Sequence, residues 1–271
     1  MDTTTPLPTL FVSHGSPMFA LDPGQTGPAL RTWGESLQAM KPKAVVVMSP
    51  HWMARDATVM TGAQPETWHD FGGFPEPLYR LQYPAAGAPA LAQQVLQMLA
   101  DAGIPTHADP QRPFDHGAWV PLMHLLPQAN VPVVQVALPA SFGPREVYAM
   151  GQALRGLREQ GVLLMGSGSM THNLREFFTG RPEQDAQAAP YVEAFSRWVE
   201  ETLQSGDRER LFAYRELAPY AVRSHPTDEH FLPIFFALGA AGWGEPGGSL
   251  PSYLTREVMY SYLAMDAFVL H

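Results

Sequence analysis

Three histidines follow apolar runs and a turn: His14 after Leu7–Ser13, His51 after Ala44–Met48, and His172 after Val162–Met165 and the segment Gly166-Ser167-Gly168-Ser169-Met170-Thr171. Short continuous apolar runs read as strands buried on both faces. Each imidazole is therefore expected at a strand's carboxyl end, the edge of an open α/β sheet where ligands sit. Two more histidines lie beside expected helices: His116 precedes a short helix in the turn Phe114-Asp115-His116-Gly117, and His230 sits in the first turn of the helix expected after Thr227. Neutral imidazole is the commonest side-chain ligand for zinc and iron, and its unperturbed pKa of about 6.5 also suits it to proton transfer. Metal binding and acid–base catalysis are the chemistries this pattern points to. Any one loop histidine is more often a hydrogen-bonded surface residue; three at successive strand ends, each beside Gly, Ser or Pro, weigh the other way.

The remaining histidines lack that setting. His69, His107, His124 and His271 read as structural or solvated, and His225, five residues before His230, is open between a shared site and a structural role. Asp228 and Glu229 suit a helix N-terminus through the dipole, or one could be a carboxylate ligand. Asp115 reads as an orienting partner or turn residue. Arg175 could meet a substrate carboxylate, though such residues more often form surface ion pairs. Trp68, Phe71, Phe74, Tyr79 and Tyr83 are either loop packing or one wall of a substrate crevice. Other chemistries find little support. Gly166-Ser167-Gly168-Ser169 lacks the lysine of a phosphate loop, no Gly-x-Ser-x-Gly elbow surrounds these serines, His-Glu-x-x-His is absent, and there is no cysteine.

The elements that must carry these side chains alternate between strand and helix. Strands are expected at Leu7–Ser13, Ala44–Met48, Ala57–Thr61, Val131–Leu138 and from Val162, with one or two more in Tyr253–Leu270. Helices are expected at 28–40 and 89–102, as a short one that follows the Phe114–Gly117 turn and runs through Leu125, and at 144–160 (stopped by Gly161), 190–204 and 209–217. A further helix is expected from Asp228 to Leu238, capped by Thr227 and ended by Gly239, and one near Asn173, capped by Ser169 or Thr171 after two glycines turn the chain. Residues 62–88 form a Gly- and Pro-rich loop whose aromatics argue against disorder. The class is α/β: one domain, residues 1–271, with a central, mostly parallel mixed sheet flanked by helices. The 271 residues carry 17 Lys+Arg against 26 Asp+Glu, a net charge of −9 without a basic cluster, which disfavours nucleic acid. No apolar stretch is long enough to span a bilayer, and Met1–Thr5 lacks the features of an export signal. A cytoplasmic protein is expected, as a monomer or small homo-oligomer.

Six motifs in order carry a family resemblance: His14-Gly15-Ser16-Pro17, Ser49-Pro50-His51-Trp52, Asp70-Phe71-Gly72-Gly73-Phe74-Pro75, Phe114-Asp115-His116-Gly117, Thr171-His172-Asn173-Leu174 and Pro226-Thr227-Asp228-Glu229-His230-Phe231-Leu232-Pro233. Together they resemble the class III extradiol ring-cleavage dioxygenases, in particular the single-subunit DOPA-dioxygenase-type branch, from His14 to about Gly242. The resemblance implies a mononuclear metal held by His14, His51 and His230. It implies that His172 is a further ligand or the acid–base residue, and that His116 is an active-site histidine outside the three ligands. The protocatechuate-cleaving branch has a glutamate as third ligand where this sequence has His230. An all-histidine set suits zinc as well as iron. The expected reaction is opening of a DOPA-like catechol by O2 to a semialdehyde, with Fe(II) for activity and Zn(II) possible in the resting protein. A zinc hydrolase on the same scaffold and a non-catalytic metal-binding protein are the alternatives.

Overall fold

The computed structural model describes residues 5–271. Residues 1–4, part of the stretch without export-signal features, lie outside the described residues. The elements begin with β1 (Thr9–Ser13), a 3-10 turn (Pro17–Ala20), α1 (Thr26–Ala39), β2 (Ala44–Ala54), β3 (Ala57–Met60), α2 (Glu76–Tyr79) and α3 (Pro89–Asp101). Next come β4 (Thr106–Asp109), α4 (His116–Leu125), β5 (Val133–Pro139), α5 (Pro144–Leu154), a 3-10 stretch (Arg155–Gln160), β6 (Val162–Gly168), α6 (Leu174–Gly180) and α7 (Pro190–Ser205). Three short helices follow: α8 (Arg208–Phe212), α9 (Tyr214–Leu217) and α10 (Ala221–Ser224). The chain ends with α11 (Pro233–Ala241), β7 (Ser252–Thr255), β8 (Val258–Met259), β9 (Leu263–Ala264) and β10 (Ala267–Leu270).

Eight strands form one sheet in the order β4-β3-β5-β2-β6-β1-β10-β7, and β8 pairs with β9 separately. Its centre, β5-β2-β6-β1, is parallel. β10 and β7 add antiparallel strands on one side; β3 is antiparallel to β5 and parallel to β4 on the other. Alternate residues of the central strands feed two cores, as the two-residue repeat of a strand requires. Val46, Met48, Val134 and Leu164 pack with Val147 of α5, Phe195 of α7 and Phe235 of α11. Val45, Val47, Val133 and Met165 pack with Leu30 and Leu37 of α1 and Trp119 of α4. Each such side chain, fully buried, contributes roughly 1.5–3 kcal/mol, and this holds the strand ends in place. Among the described residues no helix is long and apolar enough to cross a membrane.

Several expectations are corrected. β2 continues past Met48 to Ala54, with a register shift: Ser49 pairs with Ala137 and Met53 with Leu138, so residues 50–52 bulge out of the ladder. β6 runs on through Gly166 and Gly168, so these glycines do not turn the chain. They make room instead: a Cβ on Gly166 would strike the Pro233 carbonyl oxygen, and one on Gly168 that of His230. The segment at Asp228–Leu232 is turn, not helix. α11 starts at Pro233, whose missing N–H suits a first helical turn, and stops at Gly242 with φ 68°, not at Gly239. Asn173 caps α6, accepting from the Glu176 N–H at 3.1 Å. Ser169 and Thr171 instead spend their hydroxyls on the carbonyls of Thr171 and Tyr262. The helix expected over 144–160 tightens to 3-10 after Leu154, and that over 209–217 is two short helices. β4 was not foreseen, the carboxyl-terminal region holds four short strands, and the 62–88 loop contains α2.

Candidate metal centre

The sheet brings the sequence-selected histidines together. His14 directly follows β1, His51 sits on the bulge of β2, His116 opens α4, His172 follows β6 by four residues, and His230 lies in the turn before α11. His14 Nε2 is 3.0 Å from His51 Nε2, and His230 Nε2 is 3.4 Å from the same atom. His14, His51 and His116 offer ring nitrogens within 4.8 Å of one another, and so do His172, Glu229 and His230 through one atom each. The His51–His230 approach joins the two groups.

The partners of the outward nitrogens fix the tautomers. Ser167 Oγ donates to the Gly117 carbonyl at 2.5 Å, so it can only accept from His14 Nδ1, 3.0 Å away. Glu229 Oε1 accepts from His230 Nδ1 at 3.0 Å, and Asp70 Oδ1 from His116 Nδ1 at 2.9 Å. A carboxylate has no proton to give, so these Nδ1 atoms carry the hydrogen and the Nε2 atoms keep their lone pairs. Two bare Nε2 atoms therefore face a third imidazole nitrogen that can donate to one of them at most. A cation held between them would resolve this. Two nitrogens each about 2.1 Å from one ion lie about 3.0 Å apart at a right angle and about 3.4 Å apart near the tetrahedral angle, matching the two separations here.

Burial keeps these ring nitrogens free of protons. His14 and His230 are pushed well below the ordinary imidazole pKa, first by burial and then by neighbouring histidines. His51 is lowered to about 3 by burial and then by His116. His172 is lowered to about 4, mainly by burial, with Glu229 opposing. Burial alone would raise the Asp70 carboxyl, but its hydrogen bonds and charge contact with His116 outweigh that and hold it below the usual value. The His172 ring stacks on His230 at 3.5 Å and 9°, and its backbone N–H is tied to the Ser224 carbonyl at 2.8 Å. A cavity of about 240 Å³ opens over His51, His116, His172 and His230.

Other expectations resolve into structure. Asp115 is fully buried. It caps α4 at the Ala118 N–H and accepts from Ser49, Arg112 and Gln135, which ties the His116 turn to β2 and β5. His225 is not one of the cluster: its Nε2 donates to the Met170 carbonyl at 2.8 Å, and burial lowers it to about 3. His124 is buried against the Phe19 carbonyl, His69 meets that of Leu81, and His107 pairs with Asp56. Arg175 is exposed and outside the cavity lining. Phe71 and Phe74 do line the cavity, whereas Trp68, Tyr79 and Tyr83 stand behind them or elsewhere. Sequence reasoning did not single out Ser167, Asp70 or the α6 wall of Leu174, Phe177 and Phe178. The only signals for the first two were their places in conspicuous motifs.

An α/β sheet whose strand ends gather deprotonated imidazole nitrogens beneath an aromatic wall defines a metal-dependent enzyme for small molecules. Comparison with known proteins narrows the class. A family model described as the catalytic LigB subunit of aromatic ring-opening dioxygenase matches residues 8–263. A Beta vulgaris protein named 4,5-DOPA dioxygenase extradiol is 40% identical over 236 residues, covering 86% of this chain and 87% of that one. An Escherichia coli K12 protein of the same name is 38% identical over 248 residues, covering 90% and 89%. A crystal structure of an uncharacterized protein from Escherichia coli K12 aligns over 98% of this chain and 100% of its own, with a TM-score of 0.75 and 28% identity. The chain belongs to the LigB family of aromatic ring-opening dioxygenases. It is an oxidoreductase that cleaves an aromatic ring in the extradiol manner.

Proposed function

We propose that the substrate is a catechol, that the ring opens beside its vicinal diol with O2 to give a semialdehyde, and that His14, His51 and His230 hold Fe(II). The observation that carries this is the approach of the His14 and His230 Nε2 atoms, both left unprotonated by their partners, to His51 Nε2. Iron bound there supplies the redox-active centre that the reaction requires and that zinc lacks. Zinc suits the same three nitrogens and would occupy them in an inactive form.

The protein's own groups have separable tasks. His172, neutral at pH 7, accepts the proton of a diol hydroxyl on a ring nitrogen and returns it to the opened product. His172 stacks its ring flat on that of His230, whereas it is the His14 and His230 Nε2 atoms that approach His51 Nε2, and this supports a proton-carrying role for His172 over ligation. His116 presents Nε2 to the cavity with Nδ1 held by Asp70, and is placed to hydrogen-bond an oxygen of the substrate. Phe71 and Phe74 face the ring and exclude water. Four of the relatives carry names that specify DOPA, a catechol substituted at its fourth carbon, and the shared ring chemistry is what transfers to this chain.

The test is anaerobic reconstitution with Fe(II), followed by oxygen electrode and absorbance measurements with catechol, 4-methylcatechol and DOPA. Stoichiometric O2 uptake with a yellow ring-opened product is expected, and the zinc form should be silent. Absence of uptake with every catechol, at full iron loading, would sink the proposal.

A further inference from the structure

The walls of the cavity speak to what hangs from the catechol ring, on the reading that the site opens catechols. Beyond the histidines and the Gly15–Pro17 turn, the lining consists of Phe71, Phe74, Leu174, Phe177, Phe178 and Leu263. Phe71 sets its edge against Phe74 at 5.4 Å and reaches the His116 ring at 5.6 Å, so the apolar wall begins at the reacting centre. On the other side, Phe177 packs against Phe178 and Tyr260. Among the described residues no Lys or Arg lines the cavity, and neither does an acid.

Apart from the exposed Arg175, which lies outside the lining, the charged groups nearby are already engaged. Arg112 is held by Asp115 at 3.0 Å and by the His51 carbonyl at 3.1 Å, beneath Trp52. Arg223 is paired with Glu176 at 2.8 and 3.1 Å. Asp70 and Glu229 are committed to His116 and His230. An ionised carboxylate or ammonium on the substrate would leave water here without a partner, which is costly. α6 adds an independent observation. None of its residues is buried, Leu174 is 41% exposed and Phe178 62%, yet Leu174, Phe177 and Phe178 all turn to the cavity. Phe177 also packs on the edge of the core beneath the sheet, but the apolar surface of Leu174 and Phe178 is left exposed and is available to a substituent.

We infer that the enzyme selects catechols carrying a neutral alkyl or aryl substituent over those with an amino-acid or carboxylate side chain. Phe71 and Phe74 from the loop before α2, together with Leu174, Phe177 and Phe178 from α6, set that selection. It separates this chain from what the DOPA-named relatives' titles would suggest.

The experiment uses a matched set: 4-propylcatechol, 3-(3,4-dihydroxyphenyl)propanoate, its methyl ester, and L-DOPA. The first readout is kcat/KM for O2 uptake by the iron-loaded enzyme; the second is calorimetric binding to the metal-free protein. Propylcatechol and the ester should exceed the carboxylate and DOPA by on the order of 100-fold in kcat/KM, with the same rank in binding. Phe178→Arg, which offers a counter-ion at the wall, should shrink that ratio at least about tenfold. Arg175→Ala should leave it unmoved. Equal or better turnover of the carboxylate or DOPA overturns the selection while leaving ring cleavage standing. So does a fall in carboxylate binding on Arg175→Ala, or an unchanged ratio in Phe178→Arg that keeps its native circular dichroism. If no catechol consumes oxygen, ring cleavage fails, and the binding series alone decides for or against an apolar-selective pocket.

Discussion

Ser167→Ala isolates the claim that tautomers are set from outside the metal site. Ser167 is fully buried at the end of β6, and its hydroxyl bridges the Gly117 carbonyl and His14 Nδ1. Removing it leaves the Nδ1–H of a 1%-exposed histidine without an acceptor. A buried donor left unpaired costs about 1–3 kcal/mol. The imidazole escapes that cost by carrying its proton on Nε2 instead, where it faces His51. An incoming ion must then drive the proton back, so the same 1–3 kcal/mol reappears as a loss of metal affinity of roughly 5- to 150-fold. That range overlaps the 10- to 100-fold typical when a partner of a ligating histidine is removed. Apo stability falls too, through the Gly117 carbonyl, by about 1 kcal/mol.

The assay is an anaerobic competition titration of Fe(II) or Zn(II) against a coloured chelator, beside thermal melts of the metal-free protein. A lower apo Tm with metal affinity within twofold of the parent would refute the reasoning. The hydroxyl would then be packing and not a setter of protons.

Three further outcomes follow from the geometry. His172→Phe keeps a flat ring against His230 but cannot exchange a proton; kcat should fall by roughly 10²–10⁴ with metal stoichiometry unchanged, and loss of bound metal in parallel would make His172 a ligand instead. Gly117→Ala would place a Cβ against Ser49 Oγ, 2.8 Å from His51 Cδ2 and 3.2 Å from His14 Cε1, so metal loading and activity should both collapse while far-ultraviolet circular dichroism stays native; normal loading would contradict the packing argument. Burial, with Glu200 adding to it, pushes the Asp266 carboxyl up to about 7. The folded state therefore holds this proton through a window, from about pH 4 to 7, in which the unfolded chain has released it, and stability should decline as pH rises across that window. Asp266→Asn should flatten the decline, read as urea-unfolding free energies at pH 5 and pH 8, and an identical slope in the variant would rule Asp266 out as its cause.

How far the sequence could be read depended on what each feature rests on. The strands β1, β2, β5 and β6 announce themselves because both faces are buried over most of their length, so their residues are mostly apolar with little alternation. β4 could not be seen. It is an edge strand, Thr106–Asp109, with no buried residue, and only pairing with β3 makes it a strand. The bulge that delivers His51 was equally hidden, since it is a relation between β2 and β5 and not a property of either. Gly166 and Gly168 were visible as glycines, but their reason is the close approach of Pro233 and His230 from more than 60 residues downstream. The start of α11 was misplaced for a related cause. Thr227-Asp228 looks like a cap, but the chain uses residues 228–232 as a turn to aim His230, and Pro233 begins the helix.

The candidate site also shows why imidazoles were legible and their partners were not. His14, His116 and His230 each hand Nδ1–H to an oxygen and so present Nε2 inward. Only Glu229 lies next to the ring it holds; Ser167 is 153 positions from His14, and Asp70 is 46 from His116. A ligand's type can be read from its own letter, but its protonation belongs to a neighbour that the fold chooses. Two of these oxygen partners also sit at joints of the fold. Ser167 ties β6 to the first turn of α4, and Asp70 accepts the His116 backbone N–H as well as its ring, fixing the aromatic loop to the same turn. The loop that supplies Phe71 and Phe74 is thus positioned by the hydrogen bond that sets His116, so the substrate wall and the chemistry beneath it are held by one carboxylate.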